Sequence, residues 1–83
     1  MKKILFELVD EVTDEKSFLH FMNELRKDRI NHKEEWGNES IEAFLEAANE
    51  WGLTSIDGLS YYNKPDNPWK RCAQILYMGK IYD

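Results

Sequence analysis

Eighty-three residues with 42% hydrophobic and 13% aromatic content suffice for one domain around one core, and they exclude a disordered chain. The formal charge of −5 leaves no basic stripe to displace counterions, which excludes general nucleic-acid binding and makes basic proteins the natural partners. No run approaches the roughly 20 apolar residues of a membrane span, and the single cysteine, Cys72, rules out an internal disulfide and fits a reducing compartment.

The basic start at Met1, Lys2 and Lys3 is followed by Ile4, Leu5 and Phe6, which Glu7 interrupts. No export signal is predicted, and the expected location is the cytoplasm. Residues 4–12 place Ile4, Leu5, Phe6, Leu8, Val9 and Val12 on one broad arc at 100° per residue. Strict alternation fails because Leu5, Glu7 and Val9 would share a strand face, so a short helix is predicted. Thr13 then reads as the N-cap of a helix over residues 14–28, with Asp14 and Glu15 complementing its positive end. Phe18, Phe21, Met22 and Leu25 form its inward stripe at i, i+3, i+4 and i+7, while His20, Asn23 and Lys27 point away. A polar connection over residues 29–37 ends at Trp36 and Gly37.

Asn38 is the predicted cap of a third helix over residues 39–51. Its inner face is Ile41, Phe44, Leu45, Ala48 and Trp51, and Gly52 supplies a left-handed stop. Residues 53–66 read as irregular, punctuated by Gly58, Asn63, Pro65 and Asp66, with a strand-like piece at 59–62 and no second strand to support it. The last helix opens on Asn67 as cap and Pro68 at the first helical position, where a missing amide costs nothing. Trp69, Cys72, Ala73 and Leu76 form its packed face, and Lys70, Arg71 and Gln74 face out. Gly79 ends it, and Ile81 with Tyr82 is expected to fold back as an apolar clasp. The prediction is therefore all-α: a compact single domain over residues 1–83, about four short helices around one core, with an irregular segment before the last helix.

Several of these residues also form a recognisable pattern. Trp36, Gly37 and Asn38, then Phe44, Leu45, Glu46 and Ala47, then Trp51, precede the closing Asn67, Pro68, Trp69, Lys70 and Arg71 with Leu76, Tyr77, Gly79, Lys80, Ile81, Tyr82 and Asp83. Together they resemble a small bacterial family of uncharacterised proteins known only as a domain of unknown function. The likeness spans nearly the whole chain, and its terminal block is the specific part. It implies a bacterial, stand-alone helical domain and transfers no catalytic residue. It also implies an aromatic at the position of Cys72 in related chains, so no shared chemistry attaches to this thiol.

Read for chemistry, the sequence points away from an enzyme. A cysteine nucleophile would need Cys72 beside His20 or His32 and an oxyanion hole, yet Cys72 falls on the predicted packed face, where a free cysteine is a small core residue. His20, His32 and Cys72 show no zinc-ligand spacing, and His20 with Glu24 reads as a surface pair. There is no phosphate-binding loop and no serine-nucleophile motif. No cofactor or metal is expected.

The unusual feature is acidic. Residues 1–50 carry 13 acidic and 7 basic side chains, and within 34–50 there are six glutamates and no basic residue. Glu35, Glu39, Glu42, Glu46 and Glu50 recur at three- and four-residue spacing, so like charges repel along one helix face with no lysine to relieve them. Such a face either keeps a small protein soluble or steers a basic protein to a docking surface. Trp36, Tyr61 and Tyr62, in the connections, are either interface anchors or plugs for a small core. The leading expectation is a non-enzymatic cytoplasmic protein-interaction domain, an acidic inhibitor or immunity-type protein for a basic partner. Its candidate partner-binding residues are Glu39, Glu42, Glu46, Glu50, Trp36, Tyr61 and Tyr62. The alternatives are a small-molecule or metal-binding domain with hydrolase activity, and a homodimer that buries apolar area the small domain cannot cover alone.

Overall fold

The chain folds into four α-helices, α1 (Leu5–Asp10), α2 (Glu15–Asn31), α3 (Ile41–Thr54) and α4 (Pro68–Ile81), with a 3₁₀ turn at Lys33–Glu35 before α3. The computed structural model describes residues 4–82. The basic start at Lys2 and Lys3 and the terminal Asp83 lie outside the described residues. Among the described residues the architecture is all-α, as expected. The strand-like piece at 59–62 is a lone bridge between Leu59 and Tyr62 that closes a tight turn.

The starts of α2, α3 and α4 are set by short polar side chains, though not always by the expected ones. Asp14, not Thr13, caps α2. Its carboxylate accepts from the Ser17 amide at 2.9 Å while the Ser17 hydroxyl accepts from the Asp14 amide at 3.1 Å, a reciprocal capping box. That bonding to the Ser17 amide, then to its hydroxyl, with Lys16 nearby, holds the Asp14 pKa below its ordinary value. Ser40, not Asn38, caps α3 by accepting from the Ala43 amide at 3.0 Å. Asn38 is occupied elsewhere: its Nδ2 donates to the Gly79 and Tyr82 carbonyls, each at 2.9 Å, and so satisfies the end of α4. Asn67 and Pro68 open α4 as predicted, with Asn67 accepting from the Trp69 and Lys70 amides. The Asn67 Nδ2 also donates to the Thr13 carbonyl at 2.8 Å, pinning the corner between α1 and α2 to the start of α4.

Two glycines do not terminate their helices. α3 runs through Gly52 to Thr54, and the left-handed residue is Gly58, at φ 83° in the following connection. α4 runs past Gly79 to Ile81, so Ile81 stays helical and no terminal clasp folds back. Gly79 is required for space instead: a Cβ there would lie 2.7 Å from Cε1 of Phe44.

α4 is the hub. It packs on α1, α2 and α3, α1 also packs on α2, and the backbones of α2 and α3 stay apart. Leu8, Val9, Val12, Phe21, Leu25, Trp36 and Ala73 form the core, with Leu5, Phe18, Phe44, Leu76 and Tyr77 packed against it. This arrangement turns three predicted faces. In α2, Met22 lies outside the buried stripe. In α3 the inward residues are Phe44, Ala47, Ala48, Trp51 and the following Ser55, whereas Ile41 and Leu45 are exposed. In α4 the predicted packing residue Cys72 is exposed. Trp69 stacks towards Phe18 of α2 at 5.6 Å, and Gly79 abuts Phe44 of α3. On the helical wheel Cys72 falls between those directions, and neither neighbour covers it.

Arg71, predicted to face out, is drawn inward instead. Its guanidinium donates to the Gly52 carbonyl at 2.8 Å, the Ser55 hydroxyl at 2.9 Å and the Tyr62 hydroxyl at 3.1 Å. It also lies 5.1 Å from the Trp51 ring centroid. A cation thus satisfies the Gly52 carbonyl near the C-terminal end of α3, which has no basic residue of its own in the last turn.

Candidate interaction surface

α3 presents a mixed face to solvent. Glu42, Glu46 and Glu50 are all exposed, and Glu39 is exposed just before the helix. Among the described residues no ion pair relieves Glu42, Glu46 or Glu50. Because the buried stripe is turned towards Ala47 and Ala48, the same side carries apolar residues as well. Ile41 is 75% and Leu45 56% exposed, and Leu53 is exposed one turn beyond Glu50. Exposed apolar side chains thus stand beside a row of like charge on one helix face.

The three connection aromatics separate. Tyr61 is 88% exposed. Tyr62 is half-buried, edge-on to Trp51 at 5.0 Å, and its hydroxyl donates to Gln74. Trp36 is buried and cannot present its ring to a partner. Its Nε1 donates to Asp28 at 2.9 Å, its ring lies 5.8 Å from that of Phe44, and Arg29 and Lys80 sit over it at 5.4 and 6.0 Å. Asp28 in turn holds Lys80 at 2.8 Å. Trp36 is thus the hub of a network joining α2, α3 and α4, and of the three aromatics only Tyr61 shares the solvent with the α3 glutamates.

Sequence reading missed Asp28, Lys80 and Arg71. One signal was present: Lys80 lies seven residues after Ala73 and four after Leu76, on the inward stripe of α4, and a lysine there requires a buried acid.

For a metal, His32, Glu34 and Glu35 bring one ligand atom each within 4.8 Å of one another, all on exposed side chains. His20 and Cys72 share no such cluster among the described residues. His32 and Glu35 also line a cleft of about 410 Å3 between α1, α2 and α4, whose wall includes Lys80 and Tyr77. A second opening of about 410 Å3 separates α2 from α3. No described helix is long and apolar enough to cross a membrane.

Fold and surface together define a small all-α domain with an acidic, partly apolar helix face. The chain belongs to a family of unknown function, DUF7660, whose profile matches residues 14–83. No curated protein and no solved structure matches it.

Proposed function

We propose that this chain is a non-enzymatic protein-interaction domain that acts in the bacterial cytoplasm and binds a basic protein partner through α3. The observation that carries this reading is the set of Ile41 and Leu45 exposed beside Glu42, Glu46 and Glu50, which no cation among the described residues pairs with. The glutamates steer a positive surface into place and the apolar residues hold it. Tyr61 adds an exposed aromatic on the connection that follows α3. An inhibitor or immunity-type role towards a basic toxin or nuclease is the concrete form of this chemistry. The lone free cysteine fits the reducing compartment.

The test is affinity capture from the native host with the wild-type chain and with Glu42→Lys plus Glu46→Lys. The expected result is a basic partner retained by the wild type, released by rising salt, and bound at least about tenfold more weakly by the double variant. Equal retention by the two chains overturns the reading.

One observation favours the rival reading of a metal-binding or small-molecule-binding domain, namely the placement of His32 and Glu35 on the wall of the α1–α2–α4 cleft. Stoichiometric metal in the purified protein, lost in His32→Ala, would support that class.

A further inference from the structure

α2 and α3 both pack on α4, but their backbones stay apart. The groove between them is lined by Met22, Leu25 and Arg29 of α2, Ile41 and Phe44 of α3, and Leu76 of α4. One end is crossed by Arg29, whose Nη2 donates to the Glu39 carbonyl at 2.7 Å. Along its length nothing else in the described chain covers it, although it is predominantly apolar.

Its two banks are alike in apolar content and opposite in charge. The α2 bank exposes Leu19, Met22 and Ile30 with Arg26. At 100° per residue these four share an arc of about 80°. Between Leu19 and Ile30 the acids are engaged elsewhere, Glu24 with Lys27 at 3.3 Å and Asp28 with Lys80 at 2.8 Å, and the one exposed acid on the same arc, Glu15, sits at the N-terminal end of α2, three turns from Arg26. The α3 bank exposes Ile41 and Leu45 with Glu42 and Glu46. The basic, apolar face that α3 requires in a partner is therefore the face that α2 of another copy presents.

Symmetry decides how two copies meet. A two-fold axis lying along the groove lays the α2 bank of each copy on the α3 bank of the other, so the opposite charges face each other twice. An axis across the groove would face each bank with its own charge, which is repulsive. A standard interface needs about 800 Å2 per partner, about one-seventh of this chain's 5853 Å2 surface. Two adjacent helices of 17 and 14 residues can present that area.

The geometry points to a two-fold homodimer closed over the α2–α3 groove, with Leu19, Met22 and Ile30 packed on Ile41 and Leu45 of the second copy and Arg26 set against its Glu42 and Glu46. This rests on the reading of α3 as an interaction face and names its partner as the α2 face of the same chain.

Sedimentation equilibrium of the full chain from about 1 µM to about 1 mM tests it. The wild-type mass should rise from one chain to two. Arg26→Glu makes both banks acidic, and Glu42→Lys with Glu46→Lys makes both basic, so each variant should need at least about tenfold higher concentration to associate. An equimolar mixture of the two variants should regain wild-type association, because each then offers the other an opposite bank. Misfolded variants would not recover on mixing, so recovery also reports intact folds. A single-chain mass across the whole range overturns the homodimer, as does association that neither variant alters. If that happens while Glu42→Lys with Glu46→Lys still abolishes capture of a separate basic protein, the α3 reading stands and only the choice of partner falls.

Discussion

Asp28 of α2 and Lys80 of α4 meet at 2.8 Å with side chains only 14% and 9% exposed, and the same Asp28 oxygen accepts the Trp36 indole at 2.9 Å. One carboxylate thus serves two donors from two other parts of the chain. Glu35, 3.9 Å from Lys80, adds a weaker, exposed second charge.

Removing one member of this pair should be far more damaging than removing both. Lys80→Met leaves Asp28 largely buried without its cation, a change that costs about 3–5 kcal/mol in buried pairs. Residual exposure of Asp28 places the expected loss near the lower end. Lys80→Met with Asp28→Leu should recover part of that loss, although Trp36 Nε1 then lacks its acceptor. Urea denaturation of the two single variants and the double gives the coupling. Additive losses would show that the pair does not act as a unit.

Gly79 and Phe44 predict an unusual sign for a helical glycine. Alanine ordinarily favours a helix interior by about 1 kcal/mol over glycine. Here its Cβ would meet Phe44 Cε1 at 2.7 Å and Cδ1 at 2.9 Å, and the Phe44 ring is backed by Trp36. Gly79→Ala should therefore destabilise by up to about 2 kcal/mol net, an overpacking loss of about 1–3 kcal/mol less that gain. Phe44→Leu in the same chain should offset the change. A raised melting temperature for Gly79→Ala alone would contradict the contact.

Arg71 fixes the connection after α3 through the Gly52 carbonyl and the Ser55 and Tyr62 hydroxyls. Arg71→Lys should fail to replace it, because a single ammonium cannot span three acceptors held in a planar fork. The expected loss is about 1.5–3 kcal/mol, the range for hydrogen bonds to a charged group. Hydrogen exchange should rise first in residues 52–62, while amides in α2 stay protected. Uniform loss of protection across the chain would contradict a local role.

Asp14 gives a pH dependence with a definite sign. Its folded pKa is lowered by Ser17, so the cap stabilises α2 fully above the unfolded carboxylate value near 3.9. That contribution is lost as pH falls through the lower, folded value. Asp14→Asn retains an acceptor without the charge. The melting-temperature difference between wild type and Asp14→Asn should shrink as pH drops from neutral into that acid range. A difference that grows on acidification would reverse the assignment.

Local signals in the chain were accurate for most features whose physics is local. Four helical stretches, the Asn67 and Pro68 start and the acid-rich run across α3 follow from periodicity, side-chain reach and charge over a few neighbours. The misplaced caps at Thr13 and Asn38 show the limit of that reach. Asp14 and Ser17 outcompete Thr13 within one turn, but Asn38 was diverted by carbonyls at the far end of the chain. Gly79 read as a stop because its true constraint, the Phe44 ring, lies on another helix.

The sequence by itself determined that this is an all-α chain with a row of glutamates along its third helix. Only the tertiary structure decided which side of each helix is covered. α4 is surrounded by three neighbours, so no single stripe marks its interior. The separation of the α2 and α3 backbones leaves Met22, Ile41 and Leu45 in the open, and Cys72 is also unburied. It also took the packed molecule to bring Asp28 to Lys80 and Arg71 to the end of α3. Pairing of distant charges depends on where helices cross, and no window of neighbouring residues contains that information.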